Sequence, residues 1–261
     1  MSIPAGFKVE LSTPLGPIRG TVQIDSGPMR LAELVPTALE LTNIFVSRSI
    51  KREEQKGKTI SCGPNCGVCC RQLVPLSVPE AFYLMDMIRT LPLASQQRLQ
   101  QQFQDIELRL ETLDMIEEML DPTESNEKTF EITKAYFKLK IPCPFLDNNA
   151  SCSIHPNRPV ACREYNVTSP PENCENPYDH DVVKASMPLP LSAPLSLLTA
   201  SLTGTRPQLI PMSLMMRWVQ ENEALQKQQW PGPELFERFM GHVGKKAEEA
   251  ANQQVRNGES L

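Results

Sequence analysis

The chain has 261 residues, 40% of them apolar, and a formal net charge of −5. That length carries one large domain or a core with appended segments, and the apolar share can bury a core without needing cross-links to fold. No basic block stands out, which argues against nucleic-acid binding. The most apolar stretch, from Val182 to Met216, is interrupted by five prolines, so no membrane span is expected.

The first residues lack a charged segment followed by an apolar one, so no signal peptide is expected and the protein should be cytoplasmic. Thiols stay reduced in that compartment, where recurrent cysteine spacing points to metal or redox chemistry rather than to structural disulfides. Residues 7–25 read as a β-hairpin. Phe7, Val9 and Leu11 alternate with polar positions, as do Val22 and Ile24, with Pro14, Gly16 and Pro17 as the turn. From about Met29 to Gln55 the period is helical, with Leu31, Leu34, Leu41 and Phe45 on one face and Gly57 as the stop. Pro36 is placed to kink that helix.

Residues 57–76 form a loop or broken turn containing four cysteines. Ser77, Pro79 and Glu80 then mark a helix start, since Ser77 and Glu80 have capping-box spacing, and this helix should run to about Thr90. A longer helix is expected over 95–120, ended by Asp121-Pro122. Leu99, Phe103, Ile106, Leu110 and Leu113 recur along it at alternating four and three. The stripe reads as the buried face of an intramolecular bundle, being short for a coiled-coil seam to a partner helix. Another helix is expected over 125–140.

Residues 141–177 hold seven prolines and four cysteines with no sustained period, so something other than helix or sheet must order them. After a proline-rich linker, helices are expected over 213–228 and 234–253. The resulting fold is mainly α, a helical bundle around an irregular cysteine-rich metal-binding centre, with a small N-terminal β-hairpin. Its segments are 1–57 (hairpin and helix), 58–180 (cysteine cluster) and 181–261 (linker and C-terminal helices).

The eight cysteines fall into two groups. Cys62, Cys66, Cys69 and Cys70 have the spacing C-x3-C-x2-C-C, and Cys143, Cys152, Cys162 and Cys174 are separated by eight, nine and eleven intervening residues. Thiolate is a soft ligand suited to zinc, iron–sulfur clusters and copper(I), and four thiolates complete a tetrahedral zinc site or hold one iron–sulfur cluster. Closing a seventy-residue excursion by metal costs little more than closing a short one, because loop entropy grows slowly with length. The two groups are therefore expected to meet in space. Gly63 and Gly67 would let backbone approach sulfur closely. The neighbouring pair Cys69-Cys70 does not point to a single metal as readily. Arg71, Arg158 and Arg163 border the cysteines and would offset thiolate charge. Glu164 and Tyr165 read as partners of those arginines or of backbone.

These residues also resemble a known family. The runs Cys62-Gly-Pro-Asn-Cys66-Gly-Val-Cys69-Cys70, Ile141-Pro-Cys143-Pro-Phe-Leu146, Cys152-Ser-Ile154 and Arg158-Pro159-Val-Ala-Cys162-Arg163-Glu-Tyr165 resemble the bacterial YkgJ-like cysteine-cluster family, over residues 60–175. That family is described as zinc- or iron-chelating and includes the flagellin lysine-N-methylase. The resemblance implies metal chelation by Cys62, Cys66, Cys69, Cys70, Cys143, Cys152 and Cys162, with Cys174 as an extension. His155 stands where the family more often has tyrosine and reads as a solvated loop residue.

The cofactor expected is zinc or iron, with an iron–sulfur cluster left open. A modifying enzyme, such as a protein lysine N-methylase or an oxidoreductase, is the alternative by family analogy, and with it a protein substrate or partner. The spacing of Cys62, Cys66 and Cys69 also resembles the cluster motif of radical S-adenosylmethionine enzymes. Those need strand–helix alternation after the motif, which this chain lacks. No glycine-rich nucleotide loop is present, and three histidines give no convincing triad.

Overall fold

The computed structural model describes residues 4–121 and 125–256, and Pro122 lies outside them. Strands β1 (Pro4–Leu11) and β2 (Ile18–Asp25) pair antiparallel, with Phe7 opposite Val22 and Leu11 opposite Ile18. Gly16 closes the turn at φ +92°, its N–H donating to the Thr13 carbonyl at 2.9 Å. After the short strand β3 (Pro28–Met29), helix α1 spans Leu31–Gln55. The Glu33 carboxylate accepts the Arg30 N–H at 2.6 Å at its start, and Gly57 turns the chain away at φ +76°. Pro36 sits inside α1.

Strand β4 (Pro75–Ser77) leads into α2 (Val78–Thr90). Here Glu80 accepts the Ser77 N–H at 2.9 Å and the Ser77 hydroxyl at 2.6 Å, the cap that the Ser-x-x-Glu spacing predicts. The long helix expected next is broken in two, α3 (Leu93–Thr112) and α4 (Ile116–Leu120). Asp114 adopts φ +53° between them. Its N–H reaches the Glu111 carbonyl at 3.0 Å, while the Met115 N–H reaches that of Leu110 at 3.1 Å. This is a Schellman ending with aspartate in the left-handed position that glycine usually takes. Leu99, Phe103, Ile106 and Leu110 are buried, whereas Leu113, at the break, is 45% exposed. The stripe is thus an intramolecular face, as its shortness suggested. Helix α5 (Asn126–Lys138) starts at Ser125, whose hydroxyl accepts the Lys128 N–H at 3.2 Å.

The short α6 (Val160–Glu164) is the one α-helix of the second cysteine segment. Beyond it, the stretch read as a linker contains α7 (Ser192–Thr203), which the sequence reading did not anticipate. Four of the five prolines in the stretch lie outside the helix. Pro194 occupies the first turn, where proline is tolerated, and Gly204 ends the helix at φ +70°. Residues 195–203, free of proline, put Leu195 and Leu198 into the core. Strand β5 (Leu209–Pro211) pairs antiparallel with β4, and α8 (Met215–Glu221) and α9 (Glu223–Lys227) follow. Strand β6 (Trp230–Pro231) pairs with β3, and α10 (Gly232–Arg256) closes the described chain.

Helices α1, α2, α7, α8 and α10 pack around one apolar core that includes Leu34, Phe45, Phe82, Leu84 and Phe239. Each fully buried side chain of that size contributes about 1.5–3 kcal/mol relative to exposure. Phe7 of the hairpin stacks on Phe236 of α10 at 5.0 Å between ring centroids. A smaller cluster joins α3, α4 and α5 through Leu110, Ile116, Ile132 and Tyr136. The centre of the bundle is apolar, and Cys143, Cys152 and Cys162 lie partly buried against it. Among the described residues no helix is long and apolar enough to cross a membrane.

Gly232 is the tightest joint between α10 and the hairpin. Its N–H donates to the Gly27 carbonyl at 2.9 Å, and a Cβ built there would lie 2.0 Å from the Asp25 carbonyl oxygen. Backbone must move to admit even a methyl group, so Gly232→Ala is expected to destabilise the fold by about 1–3 kcal/mol. Urea unfolding measures this, and an unchanged midpoint would show that the joint is looser than described.

Candidate metal centre

The first cysteine group lies on a tight loop built from main-chain bonds. Asn65 takes φ +60°, the Cys66 N–H reaches the Gly63 carbonyl at 3.3 Å, and residues 68–71 form a single 3₁₀ turn in which the Cys70 N–H reaches the Gly67 carbonyl at 3.1 Å. Asparagine tolerates the left-handed region because its short amide can bond locally. Cys62 is exposed and the other three are half-buried.

The second group is carried by a chain of turns. Asp147 organises the first of them, its Oδ1 accepting the Asn149 and Ser151 N–H groups at 2.8 Å each. Leu146 and Cys152 form a β-bridge across it. Cys162 sits in α6, which packs on α1, and Cys174 is buried in a 3₁₀ turn over Pro171–Glu175.

The two groups meet. The Cys143 N–H donates to the Cys70 carbonyl at 2.6 Å, the Ser151 hydroxyl to Asn65 Oδ1 at 2.5 Å, and the Ser61 N–H to the Val167 carbonyl at 2.9 Å. Gly67 is buried against the second group's first turn, where a Cβ would lie 2.7 Å from Leu146 Cδ1 and 2.9 Å from the Ala150 carbonyl oxygen. Gly67 thus makes a close approach to Leu146 and Ala150 rather than to sulfur, while Gly63 faces open space. The 171–175 turn packs against the 68–71 turn, which brings Cys174 to the same place.

Cys69 is the electrostatic hub. A thiolate there would disfavour ionisation at Cys62, Cys143, Cys152, Cys162 and Cys174, and the Cys69 thiol is hydrogen-bonded to that of Cys70. The hydrogen bond with Cys70, then burial, raises the Cys69 thiol far above its ordinary range. Burial pushes Cys143 up to about 12 and Cys174 to about 11, and it also raises Cys62, Cys152 and Cys162. These thiols are therefore neutral near pH 7 in the metal-free chain, and gathering several sulfurs in one place favours that state.

The donor chemistry fits zinc or iron: eight reduced cysteines, no competing disulfide, and both groups in one neighbourhood. Closed coordination is a different matter. Among the described residues, no three histidine, cysteine, aspartate or glutamate side chains are arranged to hold a metal ion as they stand. The convergence is one of backbone and neighbourhood, and side-chain rotation would have to complete it.

The surrounding polar residues have definite tasks. Arg163 donates to the Arg158 carbonyl at 2.8 Å, to Asn43 Oδ1 of α1 at 2.7 Å and to the Pro156 carbonyl, which ties the Cys162 helix to the bundle. Glu164 accepts the Leu191 N–H at 2.8 Å, and burial raises its carboxyl to about 8. The Tyr165 hydroxyl accepts from Gln72 Nε2 at 3.1 Å. Glu164 and Tyr165 thus bond to backbone and to an amide and form no acid–base pair. His155 is exposed, as expected of a solvated loop residue, and the nearby Arg158 charge lowers its pKa.

Two features escaped the sequence reading. Met212 brings its sulfur to 3.5 Å from Cys143 Sγ. Glu80, legible as a cap for its own helix, also accepts the Val160 N–H at 2.7 Å, eighty residues away. Its fully buried carboxylate therefore holds the N-terminus of α6, two residues before Cys162, and only the helix-start spacing could have pointed to it. Glu80→Ala removes the acceptor that pairs buried donors at the starts of both helices and is expected to cost about 3 kcal/mol. The comparison of urea midpoints reads this, and a loss under about 0.5 kcal/mol would mean that water replaces the carboxylate without penalty.

No curated protein and no solved structure matches the chain significantly. Residues 61–180 match the family model CxxCxxCC, described as "Putative zinc- or iron-chelating domain", which is the cysteine-cluster family that the motifs from Cys62 to Tyr165 resemble.

Proposed function

We propose that this chain is a zinc- or iron-binding protein whose metal is held between the two cysteine groups. Its ligands are drawn from Cys62, Cys66, Cys69, Cys70, Cys143, Cys152, Cys162 and Cys174. The observation that carries this reading is the Cys143 N–H to Cys70 carbonyl bond at 2.6 Å, which joins ligand-bearing backbone of one group to that of the other. A bound metal would supply soft-ligand bonding that offsets the mutual repulsion of ionised sulfurs and cross-links two segments distant in sequence.

The residues around the thiols prepare this. Gly67 admits the 146–150 turn, Arg163 fixes α6 on α1, and Glu80 fixes its N-terminus. The segment 141–177 has five residues of α-helix and is otherwise turns, so it depends on such contacts and on whatever bridges its sulfurs.

The test is protein purified without oxygen, with zinc, iron and labile sulfide measured alongside visible absorption. Metal in stoichiometric amount is expected. Sulfide with visible colour would assign an iron–sulfur cluster, and colourless protein with zinc a mononuclear site. Cys66→Ser and Cys162→Ser, one from each group, should both lose the metal. Retention of full metal by both variants would remove the shared site.

Because metal-binding energy is folding energy here, a strong chelator should speed proteolytic cleavage within residues 141–177. The helical circular dichroism of the bundle should survive the same treatment. Identical cleavage patterns before and after chelation would refute the coupling.

A further inference from the structure

The three arginines beside the cysteines do different work. Arg163 spends its guanidinium on three oxygens that anchor α6. Arg71 reaches the Gly67 carbonyl at 3.5 Å, within its own turn. Arg158 differs: its Nε is buried and has no hydrogen-bond partner. Buried donors are almost always paired, so an orphan at the edge of a sulfur cluster needs an explanation.

Its setting supplies one. Arg158 stands between the 155–157 turn and Pro159, immediately before the Cys162 helix, and its carbonyl accepts from Arg163. Its positive charge is felt at sulfurs of both groups, Cys62 and Cys69 from the first and Cys152 from the second. Thiol sulfur is a weak acceptor, and the buried Arg158 Nε has no partner among the described groups. A metal-held thiolate is charged and accepts strongly.

We propose that Arg158 is the counter-cation of the metal centre, with its Nε–H donating to the sulfur of a metal-held cysteine and its charge offsetting that of the polythiolate. The proposal rests on the chelation reading above. Arg158 is on this view a positioning residue: it binds no metal itself, and it sets how tightly the sulfurs hold one. Arg163 already directs its donors to carbonyl and amide oxygens, and the one described bond of Arg71 is the 3.5 Å contact to the Gly67 carbonyl.

The test uses the full chain, stripped of metal and fully reduced, titrated with cobalt(II) and read by thiolate-to-cobalt charge-transfer absorption, with zinc as competitor. Arg158→Gln is expected to weaken binding by roughly tenfold to a hundredfold, the usual range for loss of a partner to a metal ligand. Charge-transfer intensity per bound cobalt should stay that of the unaltered protein, because no sulfur is lost. Arg158→Lys keeps the charge without the fixed Nε–H and should fall between the two. Arg98→Gln, which removes a charge from the exposed face of α3, should bind like the unaltered chain.

The unfolding midpoint of metal-free Arg158→Gln should not drop, since its Nε bond does not exist to be lost. A purely structural arginine would lower that midpoint. Equal cobalt affinity in Arg158→Gln and the unaltered chain overturns this proposal and leaves chelation standing. Absence of charge-transfer absorption in the unaltered chain overturns chelation, and this proposal with it.

Discussion

The backbone contact between the two cysteine segments is the constraint on which the rest of this molecule depends. Cys143 N–H reaches the Cys70 carbonyl, Gly67 lies flat against Leu146 and Ala150, and Ser61 N–H reaches Val167. None of these contacts belongs to a helix, and each spans a long stretch of sequence. Loop closure over such spans costs entropy that grows slowly with length, but it must be offset by contacts at the meeting point. Main-chain hydrogen bonds and one close glycine approach are modest contacts. The meeting point therefore needs support from the ordered part of the fold, and it gains further if a metal joins the sulfurs gathered there.

That support comes from the helical bundle by two routes. Phe145 stacks edge-on against Phe103 of α3 at 5.9 Å, and it lies with Ile154 and Val160 in the main apolar core. The second route is polar. The Glu80 carboxyl and the Arg163 guanidinium enter the same buried region and bond to backbone and amide groups around α6. Buried charges are tolerated when hydrogen bonds satisfy them, and removing one partner is costly. The irregular segment is thus bolted down at its Cys162 end before any sulfur chemistry is considered.

This division explains what the sequence revealed. The hairpin, α1, the capped start of α2 and the buried stripe of α3 follow from local rules: alternation, heptad-like spacing, and Ser77 three residues before Glu80. The meeting of the two cysteine groups was also legible, because reduced thiols in two dense groups share one plausible chemistry. The Asp114 break was not, since aspartate seldom takes the position that glycine normally marks. Nor was α7, because five prolines in its stretch read as interruption, although four lie outside the helix and Pro194 sits in its first turn. The Glu80 bond to Val160 was invisible for a simpler reason: an eighty-residue partnership leaves no trace in local spacing.

An asymmetry in the centre follows from these facts. Cys162 and Cys143 sit on backbone fixed by the core, by Glu80 and by the Cys70 carbonyl, whereas Cys62 is exposed on a turn anchored mainly by its own short-range bonds and by Ser61. Burial costs most where a thiol must ionise, and it falls hardest on the fixed side, at Cys143 and Cys162. Under the chelation reading, the partly buried sulfurs of Cys143 and Cys162 would supply ligands from backbone held by the core, and Cys62 would supply one from the exposed turn. The positive charge that reaches across the gap, from Arg158 to Cys62, Cys69 and Cys152, acts on sulfurs of both sides.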